Sequence, residues 1–196
     1  TRPAPTPTPA FTRTASPSSA TVTPALPAHP DSPDGVVQAF LEGYPDANAV
    51  IVLNDTYVEF DENGASRQYE HALVKILTEQ GLDENASQSF MYHRRYGAVE
   101  ILGMRVIKSD GTEIPVTPDL ITDGTPPEIS ARDIYEADFR EKTVVFPNLE
   151  VGDAIETLVL TDSKPLLEDQ FTGFFVLQLF DPVKTARVTV VGPSSK

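Results

Sequence analysis

The sequence predicts an all-β fold, an antiparallel β-sandwich of about eight to ten strands, with a short N-terminal helix and a disordered Pro/Thr-rich tail. Three observations carry this expectation. Short segments of apolar or alternating residues recur from Val50 to Val191. Turn-forming clusters punctuate them, among them Asp61-Glu62-Asn63-Gly64, Ser109-Asp110-Gly111-Thr112 and Pro147-Asn148-Leu149-Glu150-Val151-Gly152-Asp153. Residues 1–33 differ from the rest, holding 9 of the 18 prolines and 11 Ser or Thr with only Arg2, Arg13 and Asp31 charged.

That first stretch has too little apolar surface to offset the entropy of ordering it. Its Pro3-Ala4-Pro5-Thr6-Pro7-Thr8-Pro9 run favours extended polyproline-like spacing. We read it as a tether, with the folded domain occupying 34–193. Asp34 can cap a two-turn helix that places Val36, Val37, Phe40 and Leu41 at helical spacing before Gly43 and Pro45 stop it.

From Val50 the signals are β. Val50 to Phe60 and Ser66 to Leu77 flank the Asp61–Gly64 turn and read as a hairpin. Thr78 to Ala86 is a polar connection able to hold one helical turn. Strands follow at Ser87–Tyr96 and Ala98–Lys108, and after the Ser109–Thr112 turn a return strand starts at Glu113–Val116. Thr117–Ser130, with Pro118, Gly124, Pro126 and Pro127, reads as a loop. Arg132–Phe139, Lys142–Phe146 and Ala154–Thr161 read as strands, Ser163–Gln170 as a polar link, and Phe171–Phe180 as a strongly apolar segment. Arg187-Val188-Thr189-Val190 alternates cleanly.

Composition excludes several functions. With 40% hydrophobic residues a core can form, yet no run of 18 apolar residues exists to insert into a membrane. A formal charge of -14 repels phosphate backbones and anionic headgroups, so no nucleic acid partner is expected. The absence of Cys removes disulfides, thiolate zinc sites and cysteine nucleophiles, and the absence of Trp leaves Tyr and Phe as the aromatic platform for any glycan. No nucleotide-binding glycine motif is present, and no cofactor or metal is expected. The Pro/Thr/Ser/Ala tether and a first residue that is not Met fit an exported chain of the periplasm or cell envelope, with the tail a candidate membrane tether.

The candidate binding residues are Tyr92, Arg94 and Tyr96. In a strand they share one face with Phe90, and an arginine beside aromatics can hold a carboxylate or a sugar by forked hydrogen bonds and stacking. The plain alternative is a solvated strand whose arginines pair with cross-strand carboxylates. Asp55, Glu59, Asp61, Glu62 and Asn63 gather oxygens without the spacing of a calcium loop and read as a charged turn. His71, mid-strand beside Glu70, reads as a structural hydrogen-bonding residue. The carboxylates from Asp133 to Glu156 read as solvated strand edges.

Tyr44 to Leu53, Asp61 to Leu77, Ile107 to Thr112 and above all Val144-Val145-Phe146-Pro147-Asn148-Leu149-Glu150-Val151-Gly152-Asp153-Ala154-Ile155-Glu156 carry a resemblance in their order. In these stretches the chain resembles a bacterial domain-of-unknown-function family found N-terminal to transglutaminase-like domains in exported proteins. The resemblance implies an antiparallel β-sandwich, offers no established catalytic residues to carry over, and implies a C-terminal transglutaminase-like domain of the same polypeptide as partner. Acyl transfer there needs Cys, His and Asp, so with no Cys here it would lie in a domain outside this chain. The expected function is a non-catalytic accessory or interaction module, positioning or regulating that domain or binding an envelope partner. The alternatives are a glycan- or peptide-binding module and, less favoured, a hydrolase using two convergent carboxyls. An accessory module should expose an apolar patch, for which Phe171–Phe180 is the candidate, with a core strand as its other reading.

Overall fold

The computed structural model describes residues 40–126 and 138–194. The tether, most of the expected first helix and most of the expected 132–139 strand lie outside the described residues.

The expected first hairpin is present. β1 (Ala49–Phe60) pairs antiparallel with β2 (Ser66–Ile76), Phe60 standing opposite Ser66. The Asp61 carboxylate closes the turn by accepting from the backbone N–H groups of Asn63 and Ala65 at 2.9 and 3.0 Å, and Gly64 takes φ 86. The polar connection holds a longer helix than the sequence suggests, α1 (Glu79–Asn85). Thr78 caps it, accepting from Gly81 N at 3.1 Å and donating to the Asn48 side chain at 2.8 Å, so the helix is fastened to the start of β1.

β3 (Ser87–His93) and β4 (Gly97–Ile107) follow, then the Ser109–Thr112 turn with Gly111 at φ 86, and β5 (Glu113–Pro115). The expected loop from Thr117 is a single 3-10 turn, Pro118–Leu120, followed by an unforeseen strand, β6 (Ile121–Gly124). β6 pairs with β7 (Phe139–Val145), where Ile121 can face the core although its Pro and Gly neighbours mask the pattern. β8 (Ala154–Ser163) and β9 (Ala186–Val191) complete the described strands.

These strands form two sheets in a sandwich-like arrangement. One has six strands in the order β5-β4-β8-β2-β1-β9, the other three in the order β3-β7-β6. All pairings are antiparallel except β1 with β9, which run parallel. That exception follows from the connection: residues 164–185 run the length of the sheet before β9 begins, because Ser163 lies opposite Ser66 while Lys184 N bonds Ile51 O at the far end of β1.

The core lies between the sheets. Val74 and Ile76 of β2, Val99, Met104 and Val106 of β4, and Ile155 and Val159 of β8 meet Val144 of β7, with Phe90 and Tyr92 of β3 and Ile121 of β6 packed against them. Each large aliphatic side chain so buried contributes roughly 1.5–3 kcal/mol. Ala154 to Leu160 of β8 is buried at every position, between β4 and β2 in the middle of the larger sheet. Among the described residues, no helix is long and apolar enough to cross a membrane.

Candidate functional site

Tyr92 is the only one of the three candidate residues that lies on a strand. β3 ends at His93, and Arg94, Arg95 and Tyr96 form the turn into β4. The strand expected to reach Tyr96 is therefore shorter, and the shared strand face does not extend to Arg94 and Tyr96. Tyr96 N bonds His93 O at 2.9 Å, and Arg94 N bonds Asp138 O at 2.8 Å. The chain must turn here because β4 belongs to the other sheet. Gly97 begins it so close to β8 that a Cβ would collide with the Asp162 carbonyl oxygen.

Tyr92 is half-buried and fastens the smaller sheet. Its hydroxyl donates to Asp123 Oδ2 at 2.8 Å. Lys142 reaches the same oxygen at 2.7 Å, and Arg140 donates to Asp123 Oδ1 at 2.9 Å. Burial alone would raise the Asp123 pKa, but the hydrogen bonds from Lys142, Tyr92 and Arg140 outweigh it and lower it to about 2.

The turn shapes two adjoining depressions. Tyr92, His93 and Tyr96 line a cavity of about 270 Å³ closed on the other side by Leu166 and Phe171. Phe171 is held there by stacking on Phe60, ring centroids 4.7 Å apart. Arg94 lines a neighbouring depression of about 400 Å³ with Lys164, and the two share Ser66, Gly97, Ala98, Asp162, Ser163 and Lys164. The structure thus joins the two tyrosines in one cavity and sets Arg94 beside it. Phe171 and Lys164 were missed because only the path of residues 164–172 across the strand ends brings them there.

Glu156 and Asp153, expected to be solvated strand edges, are instead buried at 1% exposure each. Glu156, with its side chain only 2% exposed, accepts from Arg105 Nε at 2.6 Å and lies 2.8 Å from His71 Nε2. Arg105 continues to Glu113 at 2.8 Å, and at the opposite edge of the sheet Arg187 of β9 forks onto Asp55 of β1. His71 bonds Glu156 on the adjoining strand β8, 85 residues away in sequence, not its neighbour Glu70. The signal was a lone carboxylate inside Ala154-Ile155-Glu156-Thr157-Leu158-Val159-Leu160, a run otherwise apolar or small.

Phe171–Phe180 is not a strand. It forms part of the irregular connection between β8 and β9, and Phe174 and Phe180 are 89% and 93% exposed. Leu166, Leu167, Val176, Leu177 and Leu179 are exposed beside them. Phe180 also borders a pocket of about 770 Å³ lined by Asp46, Glu84 and Asp181. The Asp181 carboxyl is pushed above the usual range by burial and then by the charge of Glu84. Among the described residues, no cluster of His, Asp or Glu could hold a metal ion.

The family model of a domain of unknown function with a solved structure, DUF3857, matches residues 62–196. No curated protein matches the chain significantly. Among solved structures, a putative protease from Parabacteroides distasonis superposes with a TM-score of 0.65 at 17% identity, over 76% of this chain and 29% of that one. The chain therefore spans less than a third of that protein, and the likeness is one of fold. Two others are fainter: a CBM3a-L domain from a Clostridium thermocellum scaffoldin (TM-score 0.33, 11% identity, 60% of this chain, 68% of that one) and an M1 zinc metallopeptidase from Deinococcus radiodurans (0.31, 10%, 63% and 23%). Neither bears on function.

Proposed function

The chain belongs to the DUF3857 family, and we propose that it is a non-catalytic accessory or interaction module of a larger exported protein. It positions or regulates a C-terminal transglutaminase-like domain of the same polypeptide, or binds a partner in the periplasm or envelope. The observation that carries this reading is the apolar run of the β8–β9 connection, whose Phe174 and Phe180 stand almost fully in solvent. Exposed apolar residues gathered in one segment mark a contact surface more often than a solvent face. The 29% share of the Parabacteroides distasonis protein is consistent with one module among several.

Hydrogen exchange tests it directly. Amides of 166–180 should exchange fast in the isolated domain and slow markedly in the full-length protein. Equal exchange in both would remove the docking reading. The non-catalytic part has its own test at Asp181: if the isolated domain hydrolysed a glycoside or peptide and Asp181→Asn abolished it, the module would be an enzyme.

A second reading, a glycan- or peptide-binding module, is favoured by the concave, aromatic-lined cavity between Tyr92, Tyr96 and Phe171. It needs no neighbouring domain and can coexist with the first.

A further inference from the structure

The cavity of Tyr92 and Tyr96 and the depression of Arg94 share a floor made where three adjacent strands stop. Gly97 of β4 and Ser66 of β2 both stand opposite Ser163 of β8. The result is one cleft across the end of the six-stranded sheet. One end is apolar and aromatic, with Tyr96, Leu166 and Phe171; the other is cationic, with Arg94 and Lys164.

The cations are the unusual part. Among the described residues, the side chains of Arg94 and Lys164 have no hydrogen-bond or ion-pair partner. Arg67, Arg105, Lys108, Arg140, Lys142 and Arg187 each engage a carboxylate. Among the described residues Lys184 also lacks a side-chain partner, but it lies beside Ile51 at the opposite end of β1. The one carboxylate lining the cleft, Asp162, is already held by Arg67 at 2.8 Å. Two uncompensated positive charges thus share a depression on a chain of net charge -14.

Two of the polar side chains that line the cleft are already engaged. The Tyr92 hydroxyl donates to Asp123 and the Asp162 carboxylate accepts from Arg67. Next to the positive charge lie the rings of Tyr96 and Phe171 and the Leu166 side chain, apolar surface that suits a large peptide side chain.

We infer that this cleft binds an extended peptide, its carboxylate held by Arg94 and Lys164 and an adjacent large apolar side chain set against Tyr96 and Phe171. This rests on the second reading above and narrows it. The carboxylate can belong to an Asp or Glu side chain or to a chain end, the chemistry at the two cations being the same.

The test is a titration of the ¹⁵N-labelled chain, following the amides of Gly97, Ser163 and Lys164. The probes are an end-blocked Gly-Gly-Phe-Glu-Gly-Gly peptide, its Gln counterpart, a peptide ending in Phe with a free carboxylate, and a uronic-acid oligosaccharide. Either carboxylate peptide should bind at least about tenfold tighter than the Gln peptide, as befits a charge-assisted bond to Arg or Lys; which one binds better identifies the source of the carboxylate. Arg94→Ala and Lys164→Ala should each abolish that preference while leaving the remaining spectrum unchanged. Equal binding of the Glu and Gln peptides would overturn the carboxylate assignment and leave the groove reading standing. Shifts from the oligosaccharide with none from peptides would overturn the peptide. No shifts from any probe would remove both the inference and the groove reading.

Discussion

Glu156 sits in the most buried stretch of the central strand and keeps its charge there. Burial alone would raise its pKa, but the hydrogen bond from His71 and the charge of Arg105 hold it below the ordinary value. Removing one partner of such a buried group strands the other, so Glu156→Ala should cost about 3 kcal/mol, read from the urea midpoint at pH 7. The pH dependence has a definite sign. A carboxylate whose pKa is depressed by folding stabilises the fold above its unfolded pKa and loses that contribution as pH falls through the folded one. Asp123 shows the same sign over a stated window, since its pKa falls from 3.8 to about 2. Stability contributed by Asp123 should be full above pH 4 or so and drain away toward pH 2. The Asp123→Asn protein should lose less stability than the parent across that interval, and identical acid limbs for the two would contradict the Tyr92–Arg140–Lys142 assignment.

At the scale of elements, two glycines share a backbone conformation and differ in surroundings. Gly64 and Gly111 both take φ 86, where a side chain costs about 1–2 kcal/mol. Beyond Gly111 lies open space, whereas a Cβ on Gly64 would collide with the Gln170 carbonyl. Gly111→Ala should therefore cost about 1 kcal/mol and Gly64→Ala distinctly more, with the 164–172 segment loosened. Matched denaturation curves for the two would show that Gln170 gives way without cost. Asp153 joins two turns in a different manner. Buried to 1% exposure, it accepts from Ser109 N at 3.1 Å, from Glu150 N at 2.8 Å and from Lys108 at 2.6 Å. Asp153→Ala leaves the two backbone N–H donors unpaired, while Lys108 keeps the Asn148 carbonyl and Glu150, and should cost about 2–3 kcal/mol. Hydrogen exchange should rise at both turns together, at Ser109 and at Glu150, and a rise at only one would show the turns to be independent.

For the whole molecule, the decisive feature is that its core is closed while one long connection is not. The sandwich buries its apolar residues between the sheets, yet residues 166–180 expose seven large ones. Replacing Phe174 and Phe180 by Ser should lower binding of a hydrophobic dye to the isolated chain severalfold and leave the thermal midpoint unchanged, since neither side chain supports the core. A drop in the midpoint would mean that the connection packs on the sandwich after all.

The amino-acid sequence by itself determined the fold class, the first hairpin, the Ser109–Thr112 turn and the boundaries of most strands. These depend on neighbours in the chain: alternation, and Gly or Asp where a turn needs positive φ or a carboxylate cap. The resemblance to a domain-of-unknown-function family, built on such local stretches, agrees with the family match over 62–196, which leaves Tyr44–Leu53 outside it. What only the tertiary structure decided is which distant residues meet. β6 was hidden because a strand of four residues among Pro and Gly has no periodicity to show. Phe171–Phe180 read equally as core or surface, since apolarity is a property of side chains and burial a property of their surroundings. Arg94 and Tyr96 left the expected strand because β3 and β4 belong to different sheets, a partition no local pattern encodes. The sharing of one depression by Arg94 and Lys164, and the pairing of Glu156 with His71 and Arg105, follow from strand order, and strand order is fixed by the packing of the whole chain.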